Sequence, residues 1–245
     1  MKVFKRILLG LLIILAILVI GFVIWAVNPL QPTADALAAL ESDSKVTVTQ
    51  GSDYVTFMPT GTTPTKAFVF YPGGRVDYRA YAAPLHKLAE QGYLAILLPV
   101  RLNLAFFDIN AADRAIPDFP EIQDWVVGGH SLGGVAASMY AAKHDNLDGV
   151  VYWASYPADE ALKNSKMKFT SIYGTLDMGG MESFQSSASL LPSDTKFVVI
   201  EGGNHSQFGN YGLQPGDNIA TISWQEQQAQ VVDATAQLLE SLGNK

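Results

Sequence analysis

Three runs of the chain, Leu94–Val100, Gly149–Ala154 and Phe197–Ile200, are nearly unbroken apolar stretches too short to make stable helices. Strands that read this way are covered on both faces, as happens when helices lie on either side of a parallel sheet. Other runs rich in β-branched and aromatic residues predict strands at Val46–Thr49, Tyr54–Met58, Ala67–Tyr71, Trp125–Gly129 and Phe169–Tyr173, and the last apolar run extends back to Lys196. Amphipathic stretches predict helices at Tyr78–Glu90, Ala111–Ile116, Leu132–Lys143, Met181–Leu190 and Trp224–Leu242. Strand and helix alternate from Ala67 onward, so the chain reads as a doubly wound α/β domain with an antiparallel start. No internal repeat or low-complexity tract interrupts it.

Ahead of this domain lies a different kind of segment. Ile7 to Val27 is a run of 21 residues without a charge, its only polar group the indole of Trp25. At about 1.5 Å per residue it spans a hydrocarbon core of about 30 Å. Lys2, Lys5 and Arg6 precede it and favour a cytoplasmic N-terminus, Trp25 suits the far interface, and Pro29 and Pro32 end the helix. A cleaved signal peptide would have a shorter apolar region and a small-residue cleavage site, which is not evident after Trp25. The expected organisation is therefore an anchor over residues 1–28, an Ala-rich helical or flexible spacer over 29–44, and an extracytoplasmic domain over 45–245. The expected location is the cell membrane, crossed once.

Without the three leading cations the chain carries 13 Lys and Arg against 23 Asp and Glu, a net of −10. So acidic a surface is repelled by phosphate backbones, which argues against nucleic-acid binding. The absence of cysteine excludes a thiol nucleophile and a thiolate metal site. With four scattered histidines, none paired at i, i+4, neither a metal nor another cofactor is expected.

The chemistry concentrates in Gly129-His130-Ser131-Leu132-Gly133, placed between a strand and a helix. A nucleophile on so sharp a turn needs small neighbours, and Gly128, Gly129, Gly133 and Gly134 supply them. The following helix aims its N-terminal N–H groups at any oxyanion formed on attack. Ser131 needs a base. His86 reads as a surface position in a helix, His130 as turned away inside the elbow, and His144 as a helix C-terminal cation. His205, in a glycine-rich loop past the last strand, remains. Asp177, after the penultimate strand, is the expected orienting carboxylate, with Asp159 next and Glu201 less favoured. The order Ser131, Asp177, His205 is the one this chemistry uses on α/β sheets. Oxyanion donors are expected from the N–H of Leu132 and from the Gly73-Gly74-Arg75 turn. Gln207, Phe208, Asn210 and Tyr211 are expected to border the pocket. Leu104, Phe106 and Phe107 read as core packing before an acyl site, and Asp217 as a turn residue.

From about Ala67 onward the chain resembles the α/β-hydrolase superfamily, in particular its small capless branch near the dienelactone hydrolases. It is also similar to membrane-anchored bacterial hydrolases, mostly of Gram-positive organisms. The stretches that carry the resemblance are FYPGGRVDYRAYAAPL, LPVRLNLAFFD, GGHSLGG, YGTLD and GGNHSQFGNYGLQPGD. Serine stands where dienelactone hydrolases have cysteine, so their substrate does not carry over. The resemblance implies hydrolysis of a small or lipid-like carboxylic ester or thioester through an acyl-enzyme. The alternatives are acyl transfer to a cell-envelope acceptor by the same residues, or a binding module that has kept the fold.

Overall fold

The structure is a computed structural model that describes residues 2–243. Met1, Asn244 and Lys245, which fall inside the expected segment boundaries, and the side chains of Lys2 and Val3 lie outside the described residues. Eight strands form one sheet: β1 (Val46–Gln50), β2 (Val55–Pro59), β3 (Lys66–Tyr71), β4 (Leu94–Leu97), β5 (Asp124–His130), β6 (Gly149–Trp153), β7 (Lys168–Gly174) and β8 (Lys196–Ile200). Their order is β1-β2-β4-β3-β5-β6-β7-β8. The β1–β2 and β2–β4 pairs are antiparallel, and the remaining pairs are parallel. Among the described residues six α-helices accompany them: α1 (Lys2–Ala26), α2 (Ala34–Ala38), α3 (Ala82–Glu90), α4 (Leu132–Ala141), α5 (Gly180–Ser187) and α6 (Trp224–Glu240).

The continuous apolar strands have the cause expected for them. Along β3, Phe68 and Phe70 join a core with Leu85 and Leu88 of α3 and Val231 and Leu239 of α6. Ala67, Val69 and Tyr71 join a second core with Ala136 and Tyr140 of α4. Every second residue thus meets a different helical layer, which is why no polar face is needed.

Three local expectations are corrected. The run ending at Ile200 is the edge strand β8, and Phe197 and Val199 are 39% and 44% exposed. The apolar run gives no sign of this, because a strand's place in the sheet depends on pairing rather than on its own residues. β4 stops at Leu97: Leu98 still donates its N–H to Phe70 O, and Pro99 has none to give. The helix expected at Ala111–Ile116 is instead a pair of 3-10 turns, Ile109–Arg114 and Ile116–Asp118, with Pro117 inside the second.

α1 is long and apolar enough to cross a membrane, and its side chains are exposed from Phe4 to Trp25, with Ala26 buried. Such a helix at an N-terminus fits either a span or a signal sequence. The segment after it is no free tether. Thr33 caps α2 and donates its N–H to Asn210 O, and Leu40 is buried in the core.

Candidate active site

Parallel strands place all their C-terminal ends on one edge of the sheet, where open α/β sheets hold their ligands. Ser131 stands there between β5 and α4 with φ 52° and ψ −121°, a backbone region that costs a non-glycine residue about 1–3 kcal/mol. Two bonds hold it: its N–H donates to Trp153 O at 3.0 Å, and Ser155 Oγ donates to Ser131 O at 2.6 Å. The glycines around it are obligatory. A Cβ on Gly133 would lie 2.2 Å from Tyr71 O, and one on Gly129 would lie 2.5 Å from the same oxygen.

Asp177 and His205 come together across the ends of β7 and β8. Asp177 is 3% exposed; its Oδ2 accepts from His205 Nδ1 at 2.9 Å and its Oδ1 from the Gly179 N–H at 2.8 Å. A neutral ring that donates from Nδ1 to this carboxylate leaves the Nε2 lone pair free, the arrangement a general base needs. The His205 ring lies 4.4 Å from that of His130, the neighbour of Ser131. Among the described residues the Ser131 hydroxyl forms no hydrogen bond, so its contact with His205 is not closed in this structure. Such contacts commonly tighten only around substrate. The other candidate carboxylates are elsewhere: Asp159 is exposed and accepts from Ala161 N, and Glu201 is exposed beside Thr175.

The donors in the turn after β3 separate cleanly. Gly73 gives its N–H to Tyr81 Oη at 3.1 Å, and Arg75 gives its own to Asn103 O at 2.7 Å. The N–H groups of Gly74 and Leu132 have no acceptor among the described residues. The two residues face each other, since a Cβ on Gly74 would lie 2.9 Å from Leu132 Cδ2. Tyr81 Oη also bonds His130 Nδ1 at 2.8 Å. Burial pushes the Tyr81 phenol up, and desolvation with the nearby His205 holds His130 well below its usual value. Both are therefore neutral, and the chain runs from the Gly73 N–H to the Tyr81 hydroxyl to His130 Nδ1.

Sequence reasoning missed the residues that position His205. Asp217, read as a turn residue, accepts from Ser206 N at 2.8 Å, Met178 N at 3.1 Å, His205 N at 3.4 Å and the Ser206 hydroxyl. One carboxylate thereby clasps the loop bearing Asp177 to the loop bearing His205. Gln227 of α6, wholly buried, donates to Asn204 O at 2.7 Å and accepts from Asn204 N at 3.0 Å. Only the stretch from Gly202 to Asp217, quoted for its resemblance, hinted that Asp217 belongs with the histidine.

Several side chains differ from expectation. His86 is 7% exposed rather than on the surface, with Nδ1 bonded to Ala39 O and Nε2 to Asp43, because α2 and its following turn cover α3. Gln207, Phe208 and Tyr211 are buried, with Phe208 stacked on His130 at 5.6 Å. Phe106 and Phe107 are 45% and 52% exposed, not core, since they lie on a 3-10 turn beyond the sheet edge. A cavity between α2, α3 and α6, lined by His86, Trp224 and Gln228 among others, contains none of Ser131, Asp177 and His205.

Known structures share this architecture. A dienelactone hydrolase from Anabaena variabilis superposes with a TM-score of 0.62 at 17% identity, covering 80% of this chain and 99% of its own. A dienelactone hydrolase-like promiscuous phosphotriesterase from metagenomic libraries gives 0.57 at 14% identity, with 80% and 99% covered. A thermophilic esterase from Thermogutta terrifontis gives 0.53 at 16% identity, with 82% and 95% covered. At such identities the likeness is one of fold. No curated protein sequence matches the chain. Residues 67–229, two thirds of the chain, match the alpha/beta hydrolase family, and the chain belongs to it.

Proposed function

We propose that this member of the family is a serine carboxylic ester hydrolase held in the membrane by α1, with its catalytic domain outside the cytoplasm. The observation that carries the reading is the buried Asp177–His205 pair, 2.9 Å apart, whose imidazole lies against the residue preceding a positive-φ serine. His205 Nε2 takes the Ser131 proton as Oγ attacks the ester carbonyl. The tetrahedral oxyanion receives the N–H groups of Leu132 and Gly74, with Gly73 excluded from that role by its bond to Tyr81. His205 then returns the proton to the leaving alkoxide, and the alcohol departs. Water, deprotonated by His205, attacks the acyl-Ser131 ester, and collapse releases the acid and restores the serine. Asp177 holds the imidazole orientation and offsets its charge in both halves of the cycle.

The test is hydrolysis of a short p-nitrophenyl ester by the full chain. Ser131→Ala is expected to remove at least about 10⁴ of the rate, and Gly74→Pro, which lacks the donor N–H, about 10²–10³. Unchanged hydrolysis by Ser131→Ala would defeat the proposal.

A further inference from the structure

α1 does more than precede the domain: its last turn is bound to the turn that carries Gly74. Arg75 donates from Nε to Trp25 O at 3.0 Å and from Nη2 to Asn28 O at 2.8 Å, with its guanidinium 4.3 Å from the Trp25 ring centroid. Leu30 donates its N–H to Arg75 O at 2.7 Å, Asp77 donates to Leu30 O at 2.9 Å, and Asn103 Nδ2 donates to Ala26 O at 3.0 Å. Among the described residues five non-glycine residues have positive φ, and three of them, Arg75, Leu102 and Asn103, sit at this junction. Strain is retained where surrounding contacts over-determine the backbone, so the junction is a fixed joint rather than a swivel.

The joint sets the depth of the site. Phe107 packs edge-on against Phe22 of α1, ring centroids 6.0 Å apart. Phe22 lies four residues before Ala26, about 6 Å further into the span along the helix axis. Phe107, with the exposed Phe106 next to it in the chain, is therefore carried against the last turns of the span, near the interfacial Trp25. The exposed apolar residues Tyr156, Met178 and Leu213 follow β6, β7 and β8, and so belong to the same sheet edge as Ser131. An edge so furnished and continuous with a spanning helix fits a bilayer surface.

We infer that the substrate is an ester lying in the bilayer itself, a long-chain amphiphile whose carbonyl sits at headgroup depth and reaches Ser131 laterally past Phe106 and Phe107. This rests on the hydrolase and anchor readings above and adds the class of substrate. No covalent step is added, because the acyl chain merely stays in the lipid while Ser131 attacks.

The experiment reconstitutes the full chain in zwitterionic phosphatidylcholine vesicles, chosen because the domain is acidic. It compares turnover of p-nitrophenyl palmitate dissolved in the bilayer with that of p-nitrophenyl acetate in the surrounding water. For the double substitution Phe106→Ser/Phe107→Ser, the ratio of embedded to soluble turnover is expected to fall about tenfold, roughly the effect of losing one buried aromatic ring. A ratio unchanged by the double substitution would overturn the inference and leave the hydrolase reading intact, whether that face then meets another protein or only water. Loss of both activities in the unsubstituted chain, with no fluorophosphonate adduct on Ser131, would overturn the hydrolase reading instead.

Discussion

The two corners of the candidate site are built by opposite means. The Ser131 corner is made of backbone: a positive-φ residue, glycines pressed against Tyr71 O, and N–H groups of a turn and a helix start. The His205 corner is made of side chains: Asp177 on Nδ1, Asp217 across two loops, and Gln227 gripping Asn204 from α6. A corner made of backbone admits almost no change in its small residues, and it can be read locally. One made of side chains distributes its support over distant parts of the chain, so it loosens by degrees.

The largest expected effect tests whether the second corner matters as much as the first. Asp177→Asn keeps the shape but favours the wrong imidazole tautomer, and should lower kcat by about 10⁴ in steady-state ester hydrolysis. A drop below tenfold would mean that another carboxylate serves His205. Next, Gly133→Ala should destabilise the fold by about 3 kcal/mol in urea unfolding, because its Cβ meets backbone oxygens that cannot move aside. Tolerance of alanine there would erase the contrast between the corners. Asp217→Ala should be milder. It strips acceptors from three N–H groups, and should lower kcat about 10–100-fold through misplacement of His205. Asp217→Asn, which keeps an acceptor oxygen, should recover much of the loss, a rescue that general damage to the fold would not permit.

The smallest effect concerns pH. His130 has a folded pKa held below its unfolded value of about 6.5. The unfolded chain therefore binds the extra proton first. The stability due to neutral His130 is complete above about pH 6.5 and is lost as pH falls toward the depressed folded value. Urea midpoints measured from pH 7 to pH 5 should decline less steeply for His130→Phe than for the unsubstituted chain. Equal slopes would show that His130 does not titrate in this way.

The same contrast explains what the sequence made legible. All eight strands were readable: burial on two faces is written into β3, β5 and β6 residue by residue, and the others show as short runs rich in β-branched and aromatic residues. The edge position of β8 was not, since it depends on strand order. At the site, the glycines around Ser131 announce a tight turn by themselves. Gln227 and Tyr81 announce nothing, and Asp217 is hinted at only by the resemblance of its stretch, for their partners lie 23, 49 and 11 residues away and their side chains suit many surroundings. His205 emerged by elimination among four histidines, aided by its place after the last strand. The exposure of Phe106 and Phe107 escaped because an apolar pair reads the same in a core as beside an exposed apolar helix.

The measurement closest to the central claim is fluorophosphonate labelling of the full chain, followed by mapping of the adduct by mass spectrometry. A single adduct on Ser131, absent from Ser131→Ala and nearly abolished in His205→Ala, is the expected result. Labelling that persists in Ser131→Ala, or no labelling of the unsubstituted chain, would contradict an activated serine at the turn between β5 and α4.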